Sequence, residues 1–153
     1  MYFYLRGELV HLDFDQGSYL LPSYVMYQQG QAVVGYAARM NFGRDKCYVI
    51  AAVKRILGLD YDEYISYGDP NMFGCEVKRG DDGMPYFVVD EKGTLKSAVE
   101  VASELFKAMK EQAEKRMWVK AGFAFITVPA DYSTTRVQAI RKAAEMAGLK
   151  VTK

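Results

Sequence analysis

One histidine, two cysteines, a group of carboxylates and one basic pair are the side chains of these 153 residues best suited to chemistry, and their spacing limits what that chemistry can be. His11 alternates with Val10 and Leu12 in a strand pattern, which predicts a surface or half-buried strand position rather than a catalytic base. As the sole histidine, it argues against a triad or a histidine-ligated metal. Cys47 and Cys75 stand far apart, without the Cys-x-x-Cys spacing that clamps zinc or tunes a redox thiol, so two buried free thiols are expected. Asp60, Asp62, Glu63 and Asp69 concentrate acidic charge in a tyrosine-bearing stretch, but they lack the alternating Asp-x-Asp-x-Asp-Gly register of a calcium loop. A solvated connection without metal is expected there. Lys54 and Arg55, read as residues alone, form an ordinary basic helix end, where the dipole favours cations.

The elements that must position these residues are legible in patches. YFYLRGELVHLDF reads as two short strands about Gly7, and SYVMYQQGQAVVGY as a second hairpin turning near Gln29-Gly30. Asp15-Gln16-Gly17-Ser18 marks the turn between them. A small helix is expected from Ala37, and another around Tyr48 to Leu57, closed by Gly58. Residues 59–96 are the least regular, with turn signals at Asp81-Asp82-Gly83 and Glu91-Lys92-Gly93 around a strand Tyr86 to Val89.

Ser97 and Glu100 then form a Ser-x-x-Glu capping box ahead of an apolar row at Val101, Leu105, Met109, Ala113 and Met117. Ala98, Ala102, Phe106 and Ala108 widen the row, and Gln112 interrupts it. Trp118 is expected to anchor the end of this helix. Phe123 to Val128 is apolar at nearly every position, as a parallel strand covered on both faces would be, and Pro129 stops it. Ser133 or Thr134 caps a helix with Val137, Ile140, Ala144 and Ala147 on one face and Gly148 at its left-handed end. Strand, turn and helix make half of a βαβ unit, with the returning parallel strand expected near Val151. That succession is a piece of a nucleotide-handling α/β domain.

Composition is that of one globular domain. With 50% hydrophobic residues, a chain of this length buries roughly 70% of its unfolded surface. The 20 basic and 19 acidic residues leave no field to attract a polyanion, so nucleic acid is not an expected partner. No apolar run approaches the length of a membrane span and no cleavable signal is read at Met1, so no membrane partner is expected and a cytoplasmic location is.

Several landmarks, in order, resemble the 70-kDa heat-shock chaperone family. Leu21-Pro22-Ser23-Tyr24-Val25 is similar to its Thr-Pro-Ser-Val or Thr-Pro-Ser-Tyr strand opening, and Val34-Gly35 with Ala37-Ala38-Arg39 to its Gly-x-Ala-Ala-Lys helix start. Val53-Lys54-Arg55-Ile56-Leu57-Gly58 resembles its Ala-Lys-Arg-Leu-Ile-Gly, and the helix SAVEVASELFKAMKEQAEK falls where the family has a Lys-Met-Lys-Glu-x-Ala-Glu helix. Val128-Pro129-Ala130 and Ala147-Gly148-Leu149 resemble the turn and helix end that follow.

The resemblance implies a mixed α/β fold, part of an actin-like, ribonuclease-H-like ATPase lobe. Residues of about 20–117 would form its outer subdomain of small helices and hairpins, and residues 1–19 and 118–153 parts of its inner subdomain. It also implies ATP or ADP with Mg as the cofactor of a complete domain, and ATP-driven protein folding as the activity. Lys54 would be the catalytic residue, reaching the γ-phosphate and its attacking water; Arg55 would lie near the nucleotide; Pro129 would be a switch between nucleotide states. Asp131 stands where the family has an aromatic residue, and Val137 where it has a relaying arginine; Arg136, one residue away, is expected to point elsewhere.

The family's first phosphate loop, Asp-Leu-Gly-Thr-Thr, would precede Tyr2, and its second phosphate loop, adenosine segment, second lobe and peptide-binding domain would follow Lys153. The chain alone is therefore expected to be inactive, with the remaining lobe, a second copy of the chain or co-chaperones as partners. The alternative is a shortened, non-catalytic paralogue serving as a scaffolding subunit; a sugar kinase of the same broad fold fits the Lys54 and Leu21-Pro22-Ser23 patterns less well.

Overall fold

The computed structural model describes residues 2–5, 8–14, 17–44, 48–66 and 70–152. Strands β1 (Tyr2–Leu5) and β2 (Glu8–His11) pair antiparallel, Tyr2 opposite His11, as the expected first hairpin. Its turn at Gly7, the turn residues Asp15 and Gln16, and also Cys47 and Asp69, lie outside the described residues. His11 is an exposed strand residue stacked on Tyr19, ring centroids 4.1 Å apart.

The second hairpin joins β3 (Tyr24–Gln28) to β4 (Gln31–Val34) through Gln29 and Gly30. Both turn residues have positive φ, 51° and 79°, the two-residue geometry whose twist matches the flanking strands. Helix α1 (Tyr36–Arg39) follows as a single turn.

The expected helix from Tyr48 to Leu57 is not formed as such. Val49–Ala51 is instead strand β5, paired antiparallel with β3 so that β3 becomes the central strand of the order β4-β3-β5. Ala52 then turns left-handed, with φ 54°, and Val53–Arg55 makes one 3-10 turn. All three residues of β5 are buried, and Val and Ile favour a pleated, packed surface over a short helix. An exposed edge on β3 wins over weak local helix propensity.

The strand expected at Tyr86 to Val89 forms as part of a sheet, and the acidic stretch before it, though exposed, is more than a connection. Asp60 and Glu63 form a reciprocal capping box on α2 (Tyr61–Ile65), which uses two of the acidic residues to satisfy backbone donors. Asp62 is held by the Arg79 guanidinium at 3.0 and 3.2 Å. After a 3-10 turn at Pro70–Phe73 come β6 (Val77–Arg79), β7 (Pro85–Val88) and β8 (Leu95–Ser97), an antiparallel sheet in sequential order. Tyr64, Phe73 and Phe87 are buried, and Phe73 meets Tyr64 edge-on at 5.7 Å. Aromatic burial, spread too thinly along the chain to give a periodic pattern, organises this segment.

Helix α3 (Ala98–Met117) begins with the expected capping box: Ser97 Oγ accepts from the Glu100 amide, and Glu100 accepts from the Ser97 amide. Val101, Ala102, Leu105 and Ala113 are buried, with Phe106 and Met109 packed beside them. Gln112, the polar interruption, donates to the Asp13 carbonyl at 3.3 Å and ties the helix to the segment after β2.

Trp118 does not anchor the helix end. It takes the left-handed C-cap position, φ 56°, and is 93% exposed. The strand expected from Phe123 to Val128 shortens to β9 (Phe123–Ala124), with Phe123 and Phe125 largely exposed. Its one partner among the described residues is β10 (Lys150–Val151), the returning parallel strand expected near Val151. A parallel strand needs neighbours on both sides and cover on both faces, and β10 supplies one edge over two residues. Between them lies α4 (Thr134–Met146), capped by Ser133 and closed by Gly148 with φ 77°. The amides of Gly148 and Leu149 reach back to the carbonyls of Glu145 and Ala144, a Schellman end.

Candidate functional site

The six residues after Ala52 read Val-Lys-Arg-Ile-Leu-Gly, with apolar side chains at 53, 56 and 57. That is a one-turn amphipathic spacing, and the turn obeys it. Val53, Ile56 and Leu57 are buried in the main core, while Lys54 and Arg55 project into solvent. Backbone bonds from Arg55 to Ala52 and from Ile56 and Leu57 to Val53 fix the turn internally. Among the described residues neither Lys54 nor Arg55 forms an ion pair, so the turn presents two uncompensated cations on a rigid apolar base. Such a pair suits the phosphates of a nucleotide, whose Mg ion would come bound to those phosphates. Among the described residues no group of three or more His, Cys, Asp or Glu gathers that could hold a metal by itself.

Helix α4 meets this turn end-on. Gly58 has φ 80°, and a Cβ built on it would lie 2.7 Å from the Arg136 Cα, 3.0 Å from the Arg136 nitrogen and 3.0 Å from the Thr135 carbonyl oxygen. Arg136 was expected to point away from the site. Its Nη2 instead donates to the carbonyls of Lys54 at 3.0 Å and Arg55 at 3.1 Å, while its guanidinium carbon sits 4.1 Å from the centroid of the Tyr132 ring. The rotation of about 100° that separates Arg136 from Val137 on the helix is the rotation that aims it at Gly58, because the missing side chain there lets α4 come close. No local signal in the sequence gives that approach; the glycine of the Ile-Leu-Gly ending is its only trace.

Pro129 is exposed and begins a turn in which the Tyr132 amide donates to its carbonyl at 3.2 Å. Pro129, Tyr132, Arg136 and Lys54 are thus joined by successive direct contacts. Asp131 is exposed on the same turn, and Val137 is half-buried on α4. Cys75 stands apart from this site, beside an open cavity of about 560 Å³ with Tyr61 and Tyr64. Burial, with Glu76 adding to it, pushes its thiol up to about 12, which makes it a poor nucleophile at neutral pH.

The profile of the family described as Hsp70 protein matches residues 6–153. The chain belongs to the Hsp70 family. Curated relatives agree: it is 34% identical to the chaperone protein HscA homolog of Chromobacterium violaceum over 154 aligned positions, covering 95% of this chain and 23% of that protein. It is 33% identical to chaperone protein HscA of Salmonella agona, again over 95% of this chain and 23% of the relative. The HscA homolog of Pseudomonas aeruginosa (strain UCBPP-PA14) is 32% identical over 89% of this chain and 21% of its own length. The chain therefore spans less than a quarter of the curated relatives it matches, and its small antiparallel sheets and helices are those of an Hsp70 nucleotide-binding lobe. No helix among the described residues is long and apolar enough to cross a membrane.

The close approach at Gly58 has a direct consequence for stability. Gly58→Ala places a methyl group against backbone atoms of α4 at a left-handed position. It is expected to cost about 3 kcal/mol, read as a lowered denaturant midpoint with unchanged slope. Gly83→Ala, where nothing lies within 4 Å of the added carbon, carries only the left-handed backbone cost of about 1 kcal/mol.

Proposed function

We propose that this chain is part of the ATPase lobe of a chaperone, with residues of about 20–117 as its outer subdomain and residues 1–19 and 118–153 contributing to its inner one. The observation that carries the reading is the turn bearing Lys54: an exposed ammonium, without an ion pair among the described residues, on a buried base formed by Val53, Ile56 and Leu57. ATP with Mg, when bound in the complete protein, supplies the transferable phosphoryl group. Lys54 presents a fixed positive charge to the phosphoryl oxygens on which negative charge spreads in the transition state, at little reorganisation cost. Arg55, adjacent and exposed, adds a second cation near the nucleotide. Pro129, at the start of the turn that reaches Tyr132, is the switch position between nucleotide states. ATP-driven protein folding, a cytoplasmic setting and co-chaperone partners follow from the family for the complete protein.

In the 153-residue chain alone, Lys54 and Arg55 meet phosphate as single cations in water, worth little individually. Titration calorimetry with Mg-ATP is expected to be flat; a dissociation constant below about 100 µM, or roughly 5.5 kcal/mol of binding, defeats that expectation. In the full-length protein, Lys54→Ala is expected to slow single-turnover hydrolysis by about 100-fold, with nucleotide affinity nearly unchanged, as befits an interaction made chiefly in the transition state. Equal losses in both quantities make Lys54 a general phosphate anchor.

The exposed edge bearing Phe123 and Phe125, with Trp118 and Val119 nearby in sequence, supports a covering partner: the remaining lobe or, in the isolated chain, a second copy. The same surface suits a non-catalytic scaffolding subunit. Sedimentation of the isolated chain at micromolar concentration is expected to show self-association, and a monomer in which the amides of Phe123 and Ala124 exchange slowly rules this out.

A further inference from the structure

We propose that the open cavity between α2 and the start of β6 is a binding site for a small organic cation with an apolar body, of the arylalkylammonium kind. The site lies apart from the Lys54 turn and does not depend on the ATPase reading. Helix α2 sets Tyr61 and Tyr64 three residues apart, so both rings share one side of it. Their centroids are 5.4 Å apart and their planes tilted by 55°, which makes an aromatic corner rather than a closed stack. The rest of the wall is the chain that leads into β6. Gly74 fixes it there: φ is 74°, and a Cβ on it would collide with the Phe42 ring and the Val49 carbonyl oxygen, so this backbone is pressed against β5. Cys75 follows with a side chain too short to fill the corner. The space left is about 560 Å³, within the range of small-molecule sites.

The lining selects for positive charge. Glu76 brings a carboxylate, Cys75 a sulfur, and Tyr61 and Tyr64 bring hydroxyls and electron-rich rings. Tyr64 is only 6% exposed, and among the described residues its hydroxyl has no hydrogen-bond partner, a buried polar group that a ligand N–H can satisfy. Burial raises the pKa of both Tyr64 and Cys75; after it, Tyr61 and Cys75 act on the first and Glu76 on the second, so the groups facing the cavity add negative potential to one another.

The cations nearby leave room for another. Arg79 is held by Asp62, yet its guanidinium carbon already lies 5.8 Å from the Tyr61 centroid, within reach of a cation–π contact. Lys78 approaches Glu76 only to 3.6 Å with both side chains largely in water, a weak pair that a ligand ammonium can replace. Ile65, exposed at the rim, and Val77 offer cover for an apolar body. An anionic ligand of the same shape would meet the Glu76 carboxylate instead.

Ligands of one shape and different charge test this: benzylammonium, benzyl alcohol and benzoate, each titrated into the isotope-labelled 153-residue chain and followed by amide chemical shifts. Benzylammonium is expected to shift Cys75, Glu76 and Val77 saturably, with a Kd on the order of 1 mM. Benzyl alcohol is expected to bind on the order of 10-fold more weakly, and benzoate not at all, while benzylammonium leaves Arg55 and Ile56 at the cationic turn unmoved. Cys75→Phe, which fills the corner, is expected to abolish the shifts. Glu76 is exposed, so Glu76→Gln probes the charge without disturbing the core; it is expected to weaken benzylammonium about 3-fold and to leave benzyl alcohol as it was. Benzyl alcohol or benzoate binding as tightly as benzylammonium, a Glu76→Gln variant that weakens the alcohol equally, or no saturable shift at β6 overturns the proposal. No nucleotide enters these titrations, so their outcome and that of the hydrolysis measurements are independent.

Discussion

The buried face of α3 is the surface on which the main core is assembled: α4, the β3–β4 hairpin, strands β7 and β8, and the turn carrying Lys54 all contact it. Its small residues make this possible. Ala98, Ala102 and Ala113 let neighbouring backbones come close, while Val101 and Leu105 fill the space between them. The start of the helix is fixed by the Ser97–Glu100 box. A helix capped at its start and buried along one side is the frame on which the Lys54 turn rests.

Phe73 and Phe87 extend that core away from α3 toward α2 and the second sheet. Each fully buried ring contributes roughly 2 kcal/mol relative to an exposed one, enough to order a stretch rich in turns and surface charge. Asp60 and Glu63 serve as a cap and Asp62 as the partner of Arg79, and among the described residues no acidic group gathers that could hold a metal. At the opposite side, β1–β2 and β9–β10 stand as separate two-stranded pairs. Two-stranded pairs are marginal in water, and the exposed Phe125, 79% accessible, marks where cover is wanting. The stable half of the chain thus holds the Lys54 turn, and the half with open edges holds the Pro129 turn. Arg136 joins them.

Short-range chemistry determined much of this from the sequence alone. The capping box at Ser97, the Gln29-Gly30 turn, the glycine end of α4 and the amphipathic face of α3 each follow from a few adjacent residues, because caps and tight turns are satisfied locally. Lys54 and Arg55 were legible as candidate site residues through the ordered landmarks shared with the chaperones. What only the tertiary structure decided are the choices made by a distant neighbour. Val49–Ala51 became a strand because β3 offered an edge, the irregular stretch before β7 became ordered because three aromatic rings met, and Phe123 to Val128 stayed short because one partner strand, among the described residues, lies beside it. Arg136 reaches the Lys54 carbonyls because Gly58, 78 residues earlier in the chain, has no side chain to keep α4 away. Nothing local distinguishes that arginine from any other on a helix surface; its role exists only where two backbones touch.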